Sequence, residues 1–128
     1  HASNGMMYYK DIASDGTGII TLDNYDTEGH TQGYSFIEYH ITTDTDFKLN
    51  LNKFKHGSSA MVIIHGASTR KLTFPTGTMW QGPEPKLDPA SGTGTPLTDE
   101  EAFYMTNVRG KLYIKHEGSV TLATQTNP

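Results

Sequence analysis

The sequence predicts an all-β fold, in the form of an antiparallel β-sandwich with a jelly-roll-like topology. Apolar residues recur at every second position over most of the chain, which is the period of a strand with one buried face. Turn-forming residues interrupt these segments about every 8 to 12 residues, as they do in sandwiches and barrels. The longest apolar run, residues 60–64, has the length of a buried strand.

The length of 128 residues predicts one domain that buries enough surface to fold without covalent cross-links. The chain has no cysteine, which excludes a disulfide-stapled fold and a thiolate metal site. We expect residues 1–5 to be a tag remnant or a linker, and residues 6–128 to form the single sandwich domain.

Strands in the first half of the chain are predicted from alternation. They are residues 19–22, 34–42, 47–51 and 60–65. Within the second of these, Ile37, Tyr39 and Ile41 share one face, whereas residues 60–65 are apolar enough to be buried on both faces. Residues 55–58 are predicted to form a hairpin turn.

The second half of the chain is divided by a segment rich in Gly and Pro, residues 75–96, which we predict to be a long loop without strand or helix. Ordered loops of this length are often functional. Strands are predicted at residues 72–74, 102–106, 112–114 and 119–123, with turns at 107–110 and 116–118. Thr98 and Glu101 match a capping box, so a short helical turn at 98–101 is an alternative.

Charge and hydropathy exclude several classes of partner. The formal net charge is −4 and the pI is about 5.8, which argues against a basic nucleic-acid-binding face. Hydrophobic residues make up 34% of the chain and the mean hydropathy is −0.54, so we expect no membrane insertion.

Metal and cofactor sites are not predicted. The six histidines show no H-x-x-x-H spacing. Two oxygen-rich runs, residues 23–28 and the pair Asp44 and Asp46, have the ligand type that calcium prefers, but neither matches the calcium-loop motif. Turn formation explains them more simply.

Catalytic residues are not predicted either. Asp99, Glu100 and Glu101 are adjacent, whereas a glycosidase needs two carboxylates that face each other across a cleft. An exposed, solvated face is the preferred interpretation of these three. No G-x-S-x-G motif occurs. We therefore expect a protein that is not an enzyme.

Aromatic residues give the only candidate ligand-binding positions, which are Trp80, Tyr104 and Tyr25. Aromatic rings stack on the apolar faces of sugars, so these three could form a sugar-binding platform. A structural role is the alternative, and for Trp80, the single tryptophan, we favour a plug at the open end of the sandwich. Tyr39 and Tyr113 are assigned to the core.

A longer pattern covers about three-fifths of the chain, and its most unusual part is Phe-Pro-x-Gly-x-x-Trp-x-Gly, residues 74–82. The parts in order are residues 47–51, 61–66, 72–83, 85–87, 103–106 and 109–113. This arrangement resembles β-domains of bacteriophage tail-fibre, tail-spike and head-fibre (capsid-decoration) proteins. The chain departs from that pattern in two places: residues 111–114 lack the usual Trp, and the loop at 88–98 is longer.

The resemblance implies a structural component on the surface of a virion, with no catalytic residues and no cofactor. It also implies assembly into a homo-oligomer, a trimer, in contact with other virion proteins, and it allows contact with a polysaccharide of the host surface. A carbohydrate-binding module is the alternative from a different class, and a hydrolase accessory domain is a third. Physically, Pro75 ends its strand, Gly77 permits a sharp turn, and Trp80 supplies bulk.

Overall fold

The fold is known from a computed structural model, which describes residues 7–12, 16–23, 36–42, 45–121 and 126. Within these residues the chain forms nine β-strands and one turn of 3₁₀ helix at Ala67–Thr69. The strands are β1 (Met7–Ile12), β2 (Ile19–Asp23), β3 (Phe36–Ile41), β4 (Phe47–Lys53), β5 (Ser59–His65), β6 (Leu72–Thr73), β7 (Met79–Trp80), β8 (Glu100–Val108) and β9 (Lys111–Ser119). The all-β prediction is therefore confirmed.

The strands form two sheets between which the chain passes alternately. The larger sheet has the order β1-β3-β5-β8-β9-β7, and the smaller one has the order β2-β4-β6. From β1 to β6, each odd-numbered strand enters the larger sheet and each even-numbered strand enters the smaller one. The first six strands thus wind as a coil of two strands per turn, with successive turns stacked on each other.

Strand direction departs from the prediction. The pairs β1–β3, β3–β5, β2–β4 and β4–β6 are all parallel. Among the pairs formed by the nine described strands, only β5–β8 and β8–β9 are antiparallel. The antiparallel prediction is therefore wrong for the first six strands, and the jelly-roll topology, which is built from antiparallel strands, is not confirmed. The turn at residues 55–58 leads from the smaller sheet to the larger one instead of closing a hairpin.

The core lies between the two sheets, and its alternation agrees with the sequence. On β3, Ile37, Tyr39 and Ile41 are buried as predicted, and Tyr39 stands in register with Val62 of β5. From the smaller sheet, Phe47 and Leu49 are buried against them. Parallel stacking therefore places like apolar residues of successive turns over each other.

The predicted turn at 107–110 closes the β8–β9 hairpin. Its central residues, Arg109 (φ 54°) and Gly110 (φ 85°), both have positive φ, as a two-residue turn of type I′ requires. Buried Asn107 supports the turn: its Oδ1 accepts a hydrogen bond from the Gly110 N–H at 2.8 Å, and its Nδ2 donates to the Phe54 carbonyl at 2.5 Å.

One other local prediction is wrong, and one local alternative is excluded. The turn predicted at 116–118 is part of β9, which continues to Ser119. A register shift between the pairs Phe103–His116 and Ala102–Gly118 leaves Glu117 as the extra residue of a bulge, and Gly118 (φ 117°) adopts the positive φ beside it. The helical turn at 98–101 does not form, since β8 begins at Glu100.

The loop after β6 is mostly irregular, as predicted, but it contains the two-residue strand β7, which pairs in parallel with β9. Farther along the loop, Gly94 packs closely against the backbone of an earlier part of the same loop. A Cβ at Gly94 would lie 2.6 Å from the backbone of Pro85 and Lys86, so only glycine fits at this position.

Candidate functional site

Trp80 lies at the centre of an aromatic cluster that closes one part of the core. Its ring meets Phe74 edge-on with centroids 5.6 Å apart, and it meets Phe103 of β8 at 6.4 Å. Trp80 is half-buried and stands in register with buried Ile114 of β9. β7 positions the ring, and the turn before it is fixed by Thr78, whose Oγ1 donates to the Pro75 carbonyl. These contacts are those expected of a plug.

The other two aromatic candidates do not join Trp80. Tyr104 lies between buried Phe103 and Met105 on β8, so by strand alternation it faces away from the core and from Trp80. Tyr25 lies outside the described residues. The structure therefore does not bring Trp80 and Tyr104 to one ligand surface, and a ligand role for any of the three stays a prediction.

A groove of about 330 Å³ crosses the smaller sheet and combines apolar lining with a few polar side chains. A second hollow of about 360 Å³ shares Ile19 and Lys48 with it and extends along β4 to Pro75. Inside the first part, the Asp46 Oδ1 accepts a hydrogen bond from the Lys71 N–H at 2.9 Å. The remaining lining residues of the two parts are Thr17, Gly18, Phe47, Leu49, Asn50, Leu51, Asn52, Thr73 and Gly110. Ammonium, amide and hydroxyl groups on this surface are suited to hydrogen bonding with a polar ligand.

A buried carboxylate, Glu101, lies at the start of β8. Its Oε1 is 2.5 Å from His116 Nε2, and its Oε2 accepts hydrogen bonds from the N–H and Oγ1 of Thr98 at 2.6 and 2.7 Å. Burial alone would raise the pKa of Glu101, but these hydrogen bonds outweigh it and hold the pKa below its ordinary value. The expected solvated carboxylate face is therefore wrong for Glu101, and the capping-box pair makes its contacts without a helix.

A row of four titratable side chains crosses the outward face of the larger sheet. Glu38 and His40 come from β3, His65 from β5 and Glu100 from β8. His40 Nε2 lies 2.8 Å from Glu38 Oε2, His40 Nδ1 lies 2.9 Å from His65 Nε2, and His65 Nδ1 lies 3.4 Å from Glu100 Oε2. We call these four residues the Glu-His-His-Glu row.

Neither histidine of the row is fully exposed: the side chains of His40 and His65 retain 14% and 26% of their accessible surface. Their ring centroids are 5.1 Å apart, and most of this separation is the 2.9 Å gap between the two nitrogens. The two nitrogens therefore face each other across the gap. The carboxylates of Glu38 and Glu100 lie beside the second nitrogen of each ring, on the side away from the gap.

No motif in the sequence indicates this row, because His40 and His65 are 25 residues apart. Only the parallel register of β3 and β5, with His40 opposite Ile63, brings them together. One sequence signal pointed that way: a near-continuous apolar strand such as residues 60–64 is typical of parallel sheets.

The described residues do not bring the two oxygen-rich runs together into a metal site. Of the oxygen-rich runs considered for calcium, Asp46 is described and bonded to the Lys71 backbone, whereas Asp44 and residues 24–28 lie outside the described part. In the described residues, no three or more His, Asp or Glu side chains are grouped so as to hold a metal ion.

Comparison with known proteins gives no family assignment. No family model, curated protein or solved structure matches the chain. Among the described residues, no helix is long and apolar enough to cross a membrane.

Proposed function

We propose that the chain is a non-catalytic structural domain of a bacteriophage particle, a fibre or capsid-decoration domain on the virion surface that assembles as a homotrimer. One observation carries the proposal: in the segment most like phage fibre domains, residues 74–82, the Trp80 ring packs on Phe74 and Phe103 beside the core of a stacked β-coil.

The coil supports a mechanical role for physical reasons. Parallel strands in successive turns place buried side chains over each other, so each turn adds apolar contacts to the next. Repeating architectures of this kind are rigid and extended, as a projecting particle component must be. The β8–β9 hairpin adds antiparallel strands to the edge of β5 and so covers an edge that would otherwise invite unspecific pairing.

Light scattering on the purified chain tests the proposal. We expect the mass of a trimer of the 14.1 kDa chain, unchanged on dilution through the micromolar range. A chain that remains monomeric and binds a polysaccharide would overturn the proposal in favour of a carbohydrate-binding module. Release of reducing ends from a bound polysaccharide would overturn the non-catalytic part.

The carbohydrate-binding alternative is favoured by a different observation, the groove on the smaller sheet, in which an apolar lining is combined with a few polar side chains. Lys48 and Lys71 are exposed along it, and the amide of Asn50 lies farther along β4. Such a surface would suit a saccharide with carboxylate groups. On this alternative, the double variant Lys48→Ala and Lys71→Ala loses binding to an acidic polysaccharide, whereas the exposed pair Lys111→Ala and Lys115→Ala, outside the groove, retains it.

A further inference from the structure

The gap between His40 and His65 has the ligand chemistry of a metal site. Imidazole nitrogens bind Zn²⁺, Ni²⁺ and Cu²⁺, and two of them face each other here at 2.9 Å. Two nitrogens on one tetrahedral Zn²⁺, each at about 2.0–2.1 Å, lie roughly 3.3 Å apart. The nitrogens therefore need to separate by about 0.4 Å. Because they now point at each other, each ring must also turn by roughly 35°, so that both nitrogens aim at an ion beside the line that joins them.

The outer members of the row strengthen this assignment. Metal-binding histidines usually donate their second ring N–H to a carboxylate, which fixes the ring and raises its basicity. Glu38 Oε2 is 2.8 Å from the second nitrogen of His40, and Glu100 Oε2 is 3.4 Å from the second nitrogen of His65. Both rings are thus supported on the side away from the gap.

We propose that the Glu-His-His-Glu row binds one divalent ion of the zinc and nickel class through His40 Nδ1 and His65 Nε2. The chain supplies two ligands, and the sheet faces outward at this point, so water completes the coordination. Binding requires that both facing nitrogens be unprotonated, so the hydrogen between the two rings must move to the second nitrogen of its own ring or to solvent.

Calorimetric titration of the full chain with Zn²⁺ and with Ni²⁺ tests the site. We expect a site whose affinity falls at least tenfold in His40→Gln and in His65→Gln, and about tenfold in Glu38→Gln because of the lost carboxylate support. The matched control is His56→Gln, an exposed turn histidine that accepts the Arg109 N–H. It should bind as the wild type does.

NMR of the histidine rings keeps the test independent of whether the variants fold. On addition of Zn²⁺ to the wild-type chain, the ring nitrogens of His40 and His65 should shift together and in proportion to occupancy. Equal affinity in wild type, His40→Gln and His65→Gln would overturn the proposal. Ring shifts confined to other histidines would overturn it as well.

Discussion

His116 and Glu101 face each other across the β8–β9 hairpin, with His116 Nε2 2.5 Å from Glu101 Oε1. The His116 ring also packs on Phe103 at a centroid distance of 5.1 Å, so the polar pair and the aromatic cluster share one neighbourhood. A carboxylate that is buried and fully hydrogen-bonded is costly to alter. This pair therefore ties the start of β8 to the end of β9.

Glu101→Gln should lower the free energy of unfolding by about 1–3 kcal/mol at neutral pH, because the amide nitrogen cannot accept the hydrogen bonds that the carboxylate accepts. The measurement is urea denaturation. Glu117→Gln is the matched control, since Glu117 is exposed and lies 3.8 Å from Lys115; it should change stability by less than about 0.5 kcal/mol.

Acid pH should affect the stability of the wild type and of Glu101→Gln differently. The pKa of Glu101 is lowered by folding from an ordinary value of 4.5, so its contribution is complete above that pH and is lost as the pH falls through the lower folded value. Wild type should therefore lose more stability than Glu101→Gln on acidification below pH 4.5. Parallel stability curves for the two proteins would contradict this account.

Replacing Trp80 tests the plug. Trp80→Ala removes a half-buried ring that contacts Phe74 and Phe103 and should cost about 2–4 kcal/mol, whereas Trp80→Phe should cost clearly less. Thermal unfolding measures both. Met79→Ala, an exposed neighbour on the same strand, is the control and should be close to neutral. If Trp80→Ala were as stable as the wild type, the plug interpretation would be contradicted and a ligand-binding role for Trp80 would be favoured.

Substitutions at the two central residues of the β8–β9 turn should have opposite effects on stability. Arg109 is the non-glycine residue with positive φ in the described chain, so Arg109→Gly removes backbone strain and should leave stability unchanged or raise it by up to about 1 kcal/mol. Gly110→Ala should lower it by about 1 kcal/mol, although a Cβ there meets no other atom. Chemical denaturation of both variants gives the signs, and equal signs would contradict the turn geometry.

Asn107 joins that turn to the preceding part of the chain. Asn107→Ala leaves the Phe54 carbonyl without its side-chain donor and the Gly110 N–H without its acceptor, and should cost about 1–3 kcal/mol. Asn107→Asp retains only the acceptor and should still destabilise. Denaturation midpoints near that of wild type for both variants would show that water replaces these bonds.

The sequence predicted which side chains are buried better than it predicted which strands meet. Alternation places Ile37, Tyr39 and Ile41 on one face, and all three are buried. The core assignment of Tyr113 is wrong, because it alternates with buried Leu112 and Ile114 on β9 and is only half-buried. Alternation is the same in parallel and antiparallel strands, however, so it carries no information about direction. The short polar turn at residues 55–58 has the composition of a hairpin turn, although it crosses between the sheets.

The candidate sites depended on that missing information. The row from Glu38 to Glu100 exists only because β3, β5 and β8 are neighbours in one sheet. The bulk of Trp80 in a Pro- and Gly-rich segment, by contrast, was visible in the sequence, since a single large ring there needs neighbours. The type of residue and its place in the sequence were thus enough to predict a plug. Predicting the Glu-His-His-Glu row, which crosses three strands, would have required knowledge of the strand order.

The two kinds of strand pairing have a consequence for the order in which the chain folds. Val108 pairs with Lys111 across a tight turn, whereas each parallel pair among β1 to β6 joins residues separated by a complete turn of the coil, such as Met7 and Phe36. Local hairpins form within about 1–10 μs, and pairings that close long loops are slower. We expect β8–β9 to form first, to receive β5, and to be followed by β3 and then β1. Folding would then run against the direction of synthesis, so a nascent chain would remain open until its last described strand has left the ribosome.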